Sequence, residues 1–426
     1  MAELRPFRAL RYDTAIAGDA ANLVAPPYDV VDDAGRRQLY DRSLYNIARI
    51  DNGEIEPGDT ESDNRYSRAR AELQDWLTRG VVTTDAEPRL YVYDQEFELE
   101  GRRLRRRAVF GALRLEEWDK GVVLPHEITG AAARADRLNL LRATRVHLSP
   151  VMALYRPENV EPLTDLDLEA PVFDAALPGE RHTLRPLKPL AATVFSRSLA
   201  DERLYIADGH HRYETGLNYR NEVRDRASSW TGDEPENFTL AAVVAADDPG
   251  LVVLPTHRLV KLEPFEISLR RLRLFDLEDA GVANDSNLEA LVERMRRAGK
   301  HGPVFGADGL EPGRLHLLTP RDLEAVVART PRDRKDAWRR LDVSILAHAV
   351  LPAIGFDEQP QHIDYTEDHR HAAAAVASSA WDVALLLNPT PLSQVFACAD
   401  AGERMPRKST FFYPKLGTGV VMLPLG

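Results

Sequence analysis

A single cysteine in 426 residues, Cys398, excludes an internal disulfide and any zinc site built from cysteines. It closes the apolar helical pattern Leu392-Ser393-Gln394-Val395-Phe396-Ala397-Cys398 and reads as core rather than nucleophile. No run of about 18 apolar residues is present, so no segment reads as a membrane-spanning helix. The opening Met-Ala-Glu-Leu-Arg-Pro-Phe-Arg has no apolar stretch of the kind that drives secretion, and a cytoplasmic address is the expectation. Positive charge is also short. Fifty-five Lys and Arg face 67 Asp and Glu, a net charge of -12, which argues against nucleic acid or an anionic membrane as a general partner. Several catalytic signatures are missing: no Gly-x-Gly-x-x-Gly after a strand, no His-Glu-x-x-His, no Gly-x-Ser-x-Gly and no P-loop. What remains is globular, with 44% hydrophobic and 29% charged residues and length for two or three domains.

Strand and helix patterns mix without a strict alternation, so the expected fold class is α+β, mixed sheets with flanking helices. The N-terminal stretch through Ala25-Pro26-Pro27-Tyr28-Asp29-Val30 reads as extended pieces and turns before any helix. Helices are predicted over Tyr66–Arg79, stopped by Gly80, over Ala131–Arg145, and from Asp208 to Arg226. A hairpin is predicted from Leu90 to Leu115 around Gly101, with Arg102, Arg103, Arg105, Arg106 and Arg107 on a solvated strand face. A strand follows Pro150, a linker or peripheral sheet fills Pro157–Pro189, and a second hairpin runs from Phe238 to Arg258 about Asp247–Gly250. Helices are expected within Phe265–Lys300 and Asp333–Val350, and buried strands at Trp381–Asn388 and Thr418–Leu425. The domain division is placed at an N-terminal part, 1–120, and a main domain, 121–426, with 155–190 as the alternative boundary.

The most informative segment is Tyr205-Ile206-Ala207-Asp208-Gly209-His210-His211-Arg212-Tyr213-Glu214. An apolar run ends at Asp-Gly and passes at once into His-His-Arg and a helical stretch. Backbone N–H groups at such a junction favour an anion, and two imidazoles and a guanidinium add donors suited to phosphate. Asp208 brings the opposite charge and suits a metal ion or a proton. The alternative is an ordinary turn in which Asp208 caps the helix and the cations are solvated.

Other segments carry reactive side chains. Val122–Thr129 places His126 and Glu127 beyond an apolar run, the minimal equipment for taking a proton from a hydroxyl, with Asp136 and Arg137 about ten residues on. Pairing of these carboxylates with nearby arginines is the other reading. His257-Arg258 repeats the His-Arg pairing at a strand end and suggests a joint anion site, against a satisfied buried histidine. Lys408, Ser409 and Thr410, with Lys415 nearby, can grip a phosphate or form a basic surface loop. His362, His369 and His371 read as a polar loop before the Ala372–Ala375 helix rather than as a metal cluster.

Ala25–Val30, His126-Glu127, Asp136-Arg137-Leu138, Leu148-Ser149-Pro150, Ala207–Thr215, Leu254–Arg258 and Met405–Lys415 occur in this order over nearly the whole chain. Together they make the sequence resemble the bacterial domain-of-unknown-function family 1015. The Asp-Gly-His-His-Arg segment is also similar to the signature of the ParB/sulfiredoxin-like superfamily, which handles nucleotide phosphate and includes free L-serine kinases. The resemblance implies a ParB/sulfiredoxin-like phosphate-binding core and a kinase that phosphorylates free L-serine with pyrophosphate, ATP or ADP as donor. It implies Gly209, His210, His211, Arg212, His257, Arg258, Lys408, Ser409, Thr410 and Lys415 at phosphate, and His126, Glu127 and Asp208 in catalysis. Asp136, Arg137 and Ser149 would contact substrate, and Mg²⁺ would be held partly by the phosphates and by Asp208 or Glu127. Val146-His147 departs from the smaller or amide side chains expected before Leu148-Ser149-Pro150.

Two other functions compete: a nucleotide-binding ParB-like regulatory module, and a metal-dependent phosphodiesterase or nuclease. No segment marks an adenine slot, so the sequence does not choose between pyrophosphate and a nucleotide, and it sets no oligomeric state.

Overall fold

The computed structural model describes residues 1–128, 130–162, 167–262, 267–356 and 360–426. Thr129 and Phe265, named above, lie outside the described residues. The chain forms two compact units. The first comprises Met1–Pro125, Thr129–Val252 and Pro414–Gly426, the second His126–Ile128 and Val253–Tyr413.

The first unit is built on a nine-stranded mixed sheet. Its strands are β1 (Leu4–Arg5), β2 (Tyr91–Leu99), β3 (Arg102–Arg114), β4 (Val123–Leu124), β5 (Val151–Tyr155), β6 (Phe173–Leu177), β7 (Glu180–Pro186), β8 (Leu204–Asp208) and β9 (Phe238–Ala245). They lie in the order β4-β8-β5-β9-β3-β2-β7-β6, with β1 on β3. The β4–β8 and β5–β9 pairs are parallel. The predicted first hairpin is present, turning through left-handed Glu100 and Gly101. Helices are α1 (Asp33–Arg42), α2 (Arg65–Thr78), α3 (Ala131–Thr144), α4 (Pro189–Leu199) and α5 (His210–Arg226). A reciprocal cap between Asn64 and Ser67 starts α2, and positive-φ Gly80 follows its end. Phe195 and Leu199 of α4 and Tyr213 and Leu217 of α5 pack on Val109, Ala153, Ile206 and Val243 of the sheet. A second core gathers Leu73 and Trp76 of α2 with Leu10, Tyr12, Leu23, Ile47 and Leu148.

The second unit holds a six-stranded sheet. Its strands are β10 (His257–Val260), β11 (Phe275–Val282), β12 (Phe305–Glu311), β13 (Arg314–Pro320), β14 (Ile363–Thr366) and β15 (Val383–Leu386), ordered β11-β13-β12-β15-β10-β14. Helices α6 (Asp285–Ala298), α7 (His369–Ala377) and α8 (Leu392–Asp400) accompany it. Cys398 is buried in this unit's core, as expected.

The mixed α+β class is found, and several local expectations change. The second hairpin does not form: β9 has both edges filled by β3 and β5, while β10 pairs with β14 and β15. A boundary near 120, or within 155–190, falls inside the first unit, because β1–β3 share one sheet with strands on the far side of both positions. The Pro157–Pro189 stretch supplies β6 and β7, and α1 forms in a stretch for which no element was predicted. Within Phe265–Lys300 the expected helix is α6, and strand β11 precedes it. Arg106 is 1% exposed and donates to Gln95 Oε1 at 2.5 Å and the Pro414 carbonyl at 2.6 Å, so that arginine face is not solvated throughout. Of Thr418–Leu425, only Leu423–Pro424 is strand.

Candidate active site

In the first unit β8 hands directly over to α5. The ladder between β8 and β5 shifts register between Ile206 and Asp208, a bulge that re-aims the last residue of the strand. Gly209 follows with φ +86°, a left-handed conformation that non-glycine residues adopt at a cost. A Cβ there would also lie 2.9 Å from Arg212 Nε, so the glycine lets the guanidinium fold back over the turn. Arg212 Nη2 donates to Asp208 Oδ2 at 2.5 Å, and its Nη1 donates to Ser149 Oγ at 3.1 Å and to the Pro150 carbonyl. Lys415 donates to the other carboxylate oxygen, Oδ1. Burial raises the proton affinity of Asp208. The charges of Lys415 and Arg212, the Lys415 hydrogen bond and His210 overcome this and hold the carboxyl well below its usual range.

The surrounding residues fix this arrangement. His210 is buried at the first position of α5, and His211 Nε2 accepts from the Gly130 N–H at 2.8 Å, at the start of α3. Arg137 on α3 donates to the Asp51 carbonyl at 2.8 Å and Oδ1 at 3.1 Å, to Asp136 Oδ2 at 2.7 Å, and stacks 4.0 Å over the Tyr28 ring. Burial pushes the Tyr28 hydroxyl up to about 12, so the ring under Arg137 is uncharged at neutral pH. Asp136 also accepts from Arg65 and, at 2.8 Å, from the Tyr66 hydroxyl, which makes it a structural acceptor. A cavity of about 40 Å³ lies among Asp51, Arg137, His147, Ser149, Arg212 and Thr215. His147 Nε2 and Thr215 Oγ1 are buried there without a hydrogen-bond partner. The cavity has room for a water that would satisfy them.

The second unit assembles a different cluster. His126 is fully buried, its Nε2 3.0 Å from Thr410 Oγ1 and its ring edge-on to Phe412. The His126 carbonyl accepts from the Met405 N–H at 2.6 Å, and Glu127 pairs with Met405 in a parallel bridge. Lys408 has φ +58° and is held at both ends of its backbone. Its N–H donates to Glu127 Oε1 at 2.6 Å, and its carbonyl accepts from Arg258 Nη2 at 3.0 Å. Ser409 Oγ donates to the Pro406 carbonyl at 2.5 Å, and the Ser409 carbonyl accepts from Thr390 Oγ1 at 2.8 Å.

His257 and Arg258 are both buried, and His257 Nε2 has no hydrogen-bond partner. His257 Nδ1 accepts from the Leu387 N–H at 3.1 Å, and burial drives the imidazole down to about 3, so it is uncharged at neutral pH. Arg258, 4% exposed, also donates to the Thr256 carbonyl at 2.6 Å and lies 4.7 Å over the Tyr365 ring. Desolvation lowers its guanidinium to about 10.

A metal ion at Asp208 does not fit this donor set. Both carboxylate oxygens accept from cations, and among the described residues no three His, Cys, Asp or Glu gather in a metal-holding group. Mg²⁺ carried mainly by donor phosphates needs no such cage.

A family model described as a protein of unknown function, DUF1015, matches residues 4–344. The chain belongs to this family. The matched span includes Glu127 and Asp208–Arg212 and ends before Lys408 and Lys415. No curated protein matches the chain. Among solved structures it is similar to a free serine kinase in complex with AMP, at 14% identity and TM-score 0.34, covering 72% of this chain and 86% of that one. A conserved hypothetical protein from Pyrococcus furiosus is similar at 15% identity and TM-score 0.34, covering 72% and 92%. SbnI from Staphylococcus aureus, with a C-terminal truncation, gives 10% identity and TM-score 0.31 over 74% and 87%. No helix among the described residues of this DUF1015 protein is long and apolar enough to cross a membrane.

Sequence reasoning on the DUF1015 chain missed Asp51 and Tyr28 as partners of Arg137. Asp51 sits in Ile50-Asp51-Asn52, with no motif around it, and only its burial beside an arginine marks it. Lys415 was grouped with Lys408–Thr410 by proximity in sequence. The structure places it with Asp208 instead.

Proposed function

We propose that this chain is a phosphotransferase that moves a phosphoryl group from a nucleotide or pyrophosphate onto the hydroxyl of free L-serine, in the cytoplasm. The observation that carries the reading is the Asp208 carboxylate held between Arg212 and Lys415 at a strand-to-helix junction. Two cations fixed at the N-terminus of a 17-residue helix are suited to neutralise phosphate oxygens, which is the main electrostatic demand of phosphoryl transfer. Gly209 and the first N–H groups of α5 give the backbone side of that grip, and His210 and His211 belong to the same turn. Asp208 acts through Arg212 and Lys415, as their positioning residue. Mg²⁺ carried by the donor's phosphates would supply further charge neutralisation.

Glu127 is assigned as the proton acceptor, with His126 beside it in sequence. In the reaction the serine oxygen forms a bond to the terminal phosphorus, the bond from that phosphorus to the bridging oxygen breaks, and the hydroxyl proton passes to Glu127. Lys408 and Thr410 remain phosphate contacts in this reading, whereas Arg258 and Ser409 shape the turn that carries them.

The test is incubation of the purified protein with Mg²⁺, L-serine and, separately, ATP, ADP and pyrophosphate, followed by phosphorus NMR. Serine-dependent phosphoserine with at least one donor is expected. No phosphoserine with any of the three overturns the reading.

A further inference from the structure

The first unit contains a cavity of about 390 Å³ that the roles above leave unused. One face of α1 lines it through Gly35, Gln38, Leu39 and Arg42, the spacing at which helical residues share a side. Leu177 at the end of β6, Pro178 just after it, and Val24, Ala25 and Val30 give the lining its apolar part. Val30 is 44% exposed, so this part includes open apolar surface. Lys415, whose ammonium is held by Asp208, forms part of the same lining, as does Gly417.

We propose that this cavity is the nucleoside slot of the phosphoryl donor, which makes the donor a nucleoside polyphosphate rather than pyrophosphate. The inference rests on the kinase reading and deepens it. The volume falls in the range of small-molecule sites, about 300–1,000 Å³, which are mostly apolar with a few polar groups that set orientation. Pyrophosphate has no apolar surface to bury against Val30, Ala25 and Leu177. A base does, and the Gln38 amide offers both a donor and an acceptor to its edge. His182 on the polar wall is uncharged at neutral pH, since burial, aided by Arg106, drives it down to about 4. A ligand with its base in this slot brings its phosphates toward Lys415, and Lys415 connects the slot to the Asp208–Arg212 junction through one shared carboxylate.

The experiment is calorimetric titration of AMP, ADP, ATP and pyrophosphate into the full chain and into Leu177→Trp and Val30→Trp, which fill the cavity from different points of its lining. Gln38→Ala, at an exposed position of α1, removes a base contact without adding bulk. Thermal unfolding identifies the variants that keep the native fold. Wild type is expected to bind the nucleotides, and each folded filling variant to lose about tenfold or more in nucleotide affinity with pyrophosphate changed by less than about twofold. Nucleotide affinity unchanged in the folded variants overturns the slot, as does wild-type protein that binds pyrophosphate and no nucleotide. Phosphoserine formed from pyrophosphate alone overturns the slot and leaves the kinase standing. Nucleotide binding lost on filling, without phosphoserine from any donor, leaves the slot standing and removes the kinase.

Discussion

Lys415 lies 207 residues along the chain from Asp208, yet its ammonium is held by the same carboxylate that binds Arg212 four residues away. A strand terminus, a helix start and the C-terminal segment are thereby tied at one acidic side chain. The carboxylate keeps two cations close that would otherwise repel each other, and its charge is maintained because their combined field outweighs its burial.

Asp208→Asn therefore tests the clamp directly. Asparagine keeps the shape and one acceptor but leaves two partly buried cations without an anion. A loss of about 3 kcal/mol is expected, the low end for breaking a buried ion pair because some solvent reaches the group. The pH dependence has a definite sign. A carboxyl whose folded pKa is lowered contributes stability that is full above its unfolded value, about 3.9, and is lost as pH falls through the folded one. The gap in unfolding free energy between wild type and variant should be constant from pH 5 to about 8 and narrow progressively below about pH 4. A gap that already closes near pH 6 would show that another group is responsible.

Gly209→Ala probes the turn. The left-handed backbone adds about 1–2 kcal/mol for a residue with a Cβ, and the Cβ meets Arg212 Nε at 2.9 Å. Denaturant unfolding should report that loss, and the affinity for AMP or ADP should fall with it because the guanidinium is displaced. Stability lowered with nucleotide affinity intact would mean that Arg212 does not contact the donor.

Acid sensitivity should come from histidines rather than carboxylates. Burial drives His147 and His182 to about 4 in the first unit and His257 to about 3 in the second. Their folded pKa values lie below the unfolded value of about 6.5, so the unfolded chain takes up protons first as pH drops. Stability is full above about pH 6.5 and falls below it, by up to ~1.4 kcal/mol per pH unit for each histidine. Thermal midpoints measured from pH 8 to pH 4.5 should be flat and then decline. Proton NMR should show these imidazole resonances not moving between pH 8 and pH 5.5, and a resonance that titrates near 6.5 would refute the assignment for that residue.

The legibility of the chain follows the range of the forces involved. Helices α2, α3 and α5 and strand β5 were visible because periodicity, glycine stops and a proline boundary act within a few residues. The turn at Asp208-Gly209 was legible for the same reason. The partner of Asp208 was not, since neighbours in sequence grouped Lys415 with Lys408, and only long-range packing separates them. Asp51 carried no local signal at all. Likewise β9 and the strand after Pro255 look like a hairpin, and the competition for the edges of β9 that prevents it is decided by strands far away in sequence.

Glu127→Gln separates proton transfer from architecture. In the structure Glu127 Oε1 accepts from the N–H of Lys408, a residue in a strained left-handed conformation whose carbonyl is held by Arg258. A glutamine oxygen can accept the same bond, so the turn and the unfolding midpoint should be nearly unchanged. It cannot take the serine proton, and kcat for phosphoserine formation should fall about 10²–10⁴-fold with little change in donor KM. Lys408→Gly makes the opposite change. It relieves the positive φ and keeps the N–H, so stability should hold or rise, while loss of the ammonium raises donor KM. If Glu127→Gln lowers the unfolding midpoint as much as it lowers activity, Glu127 is a support for the Lys408 turn and the proton acceptor must be sought elsewhere.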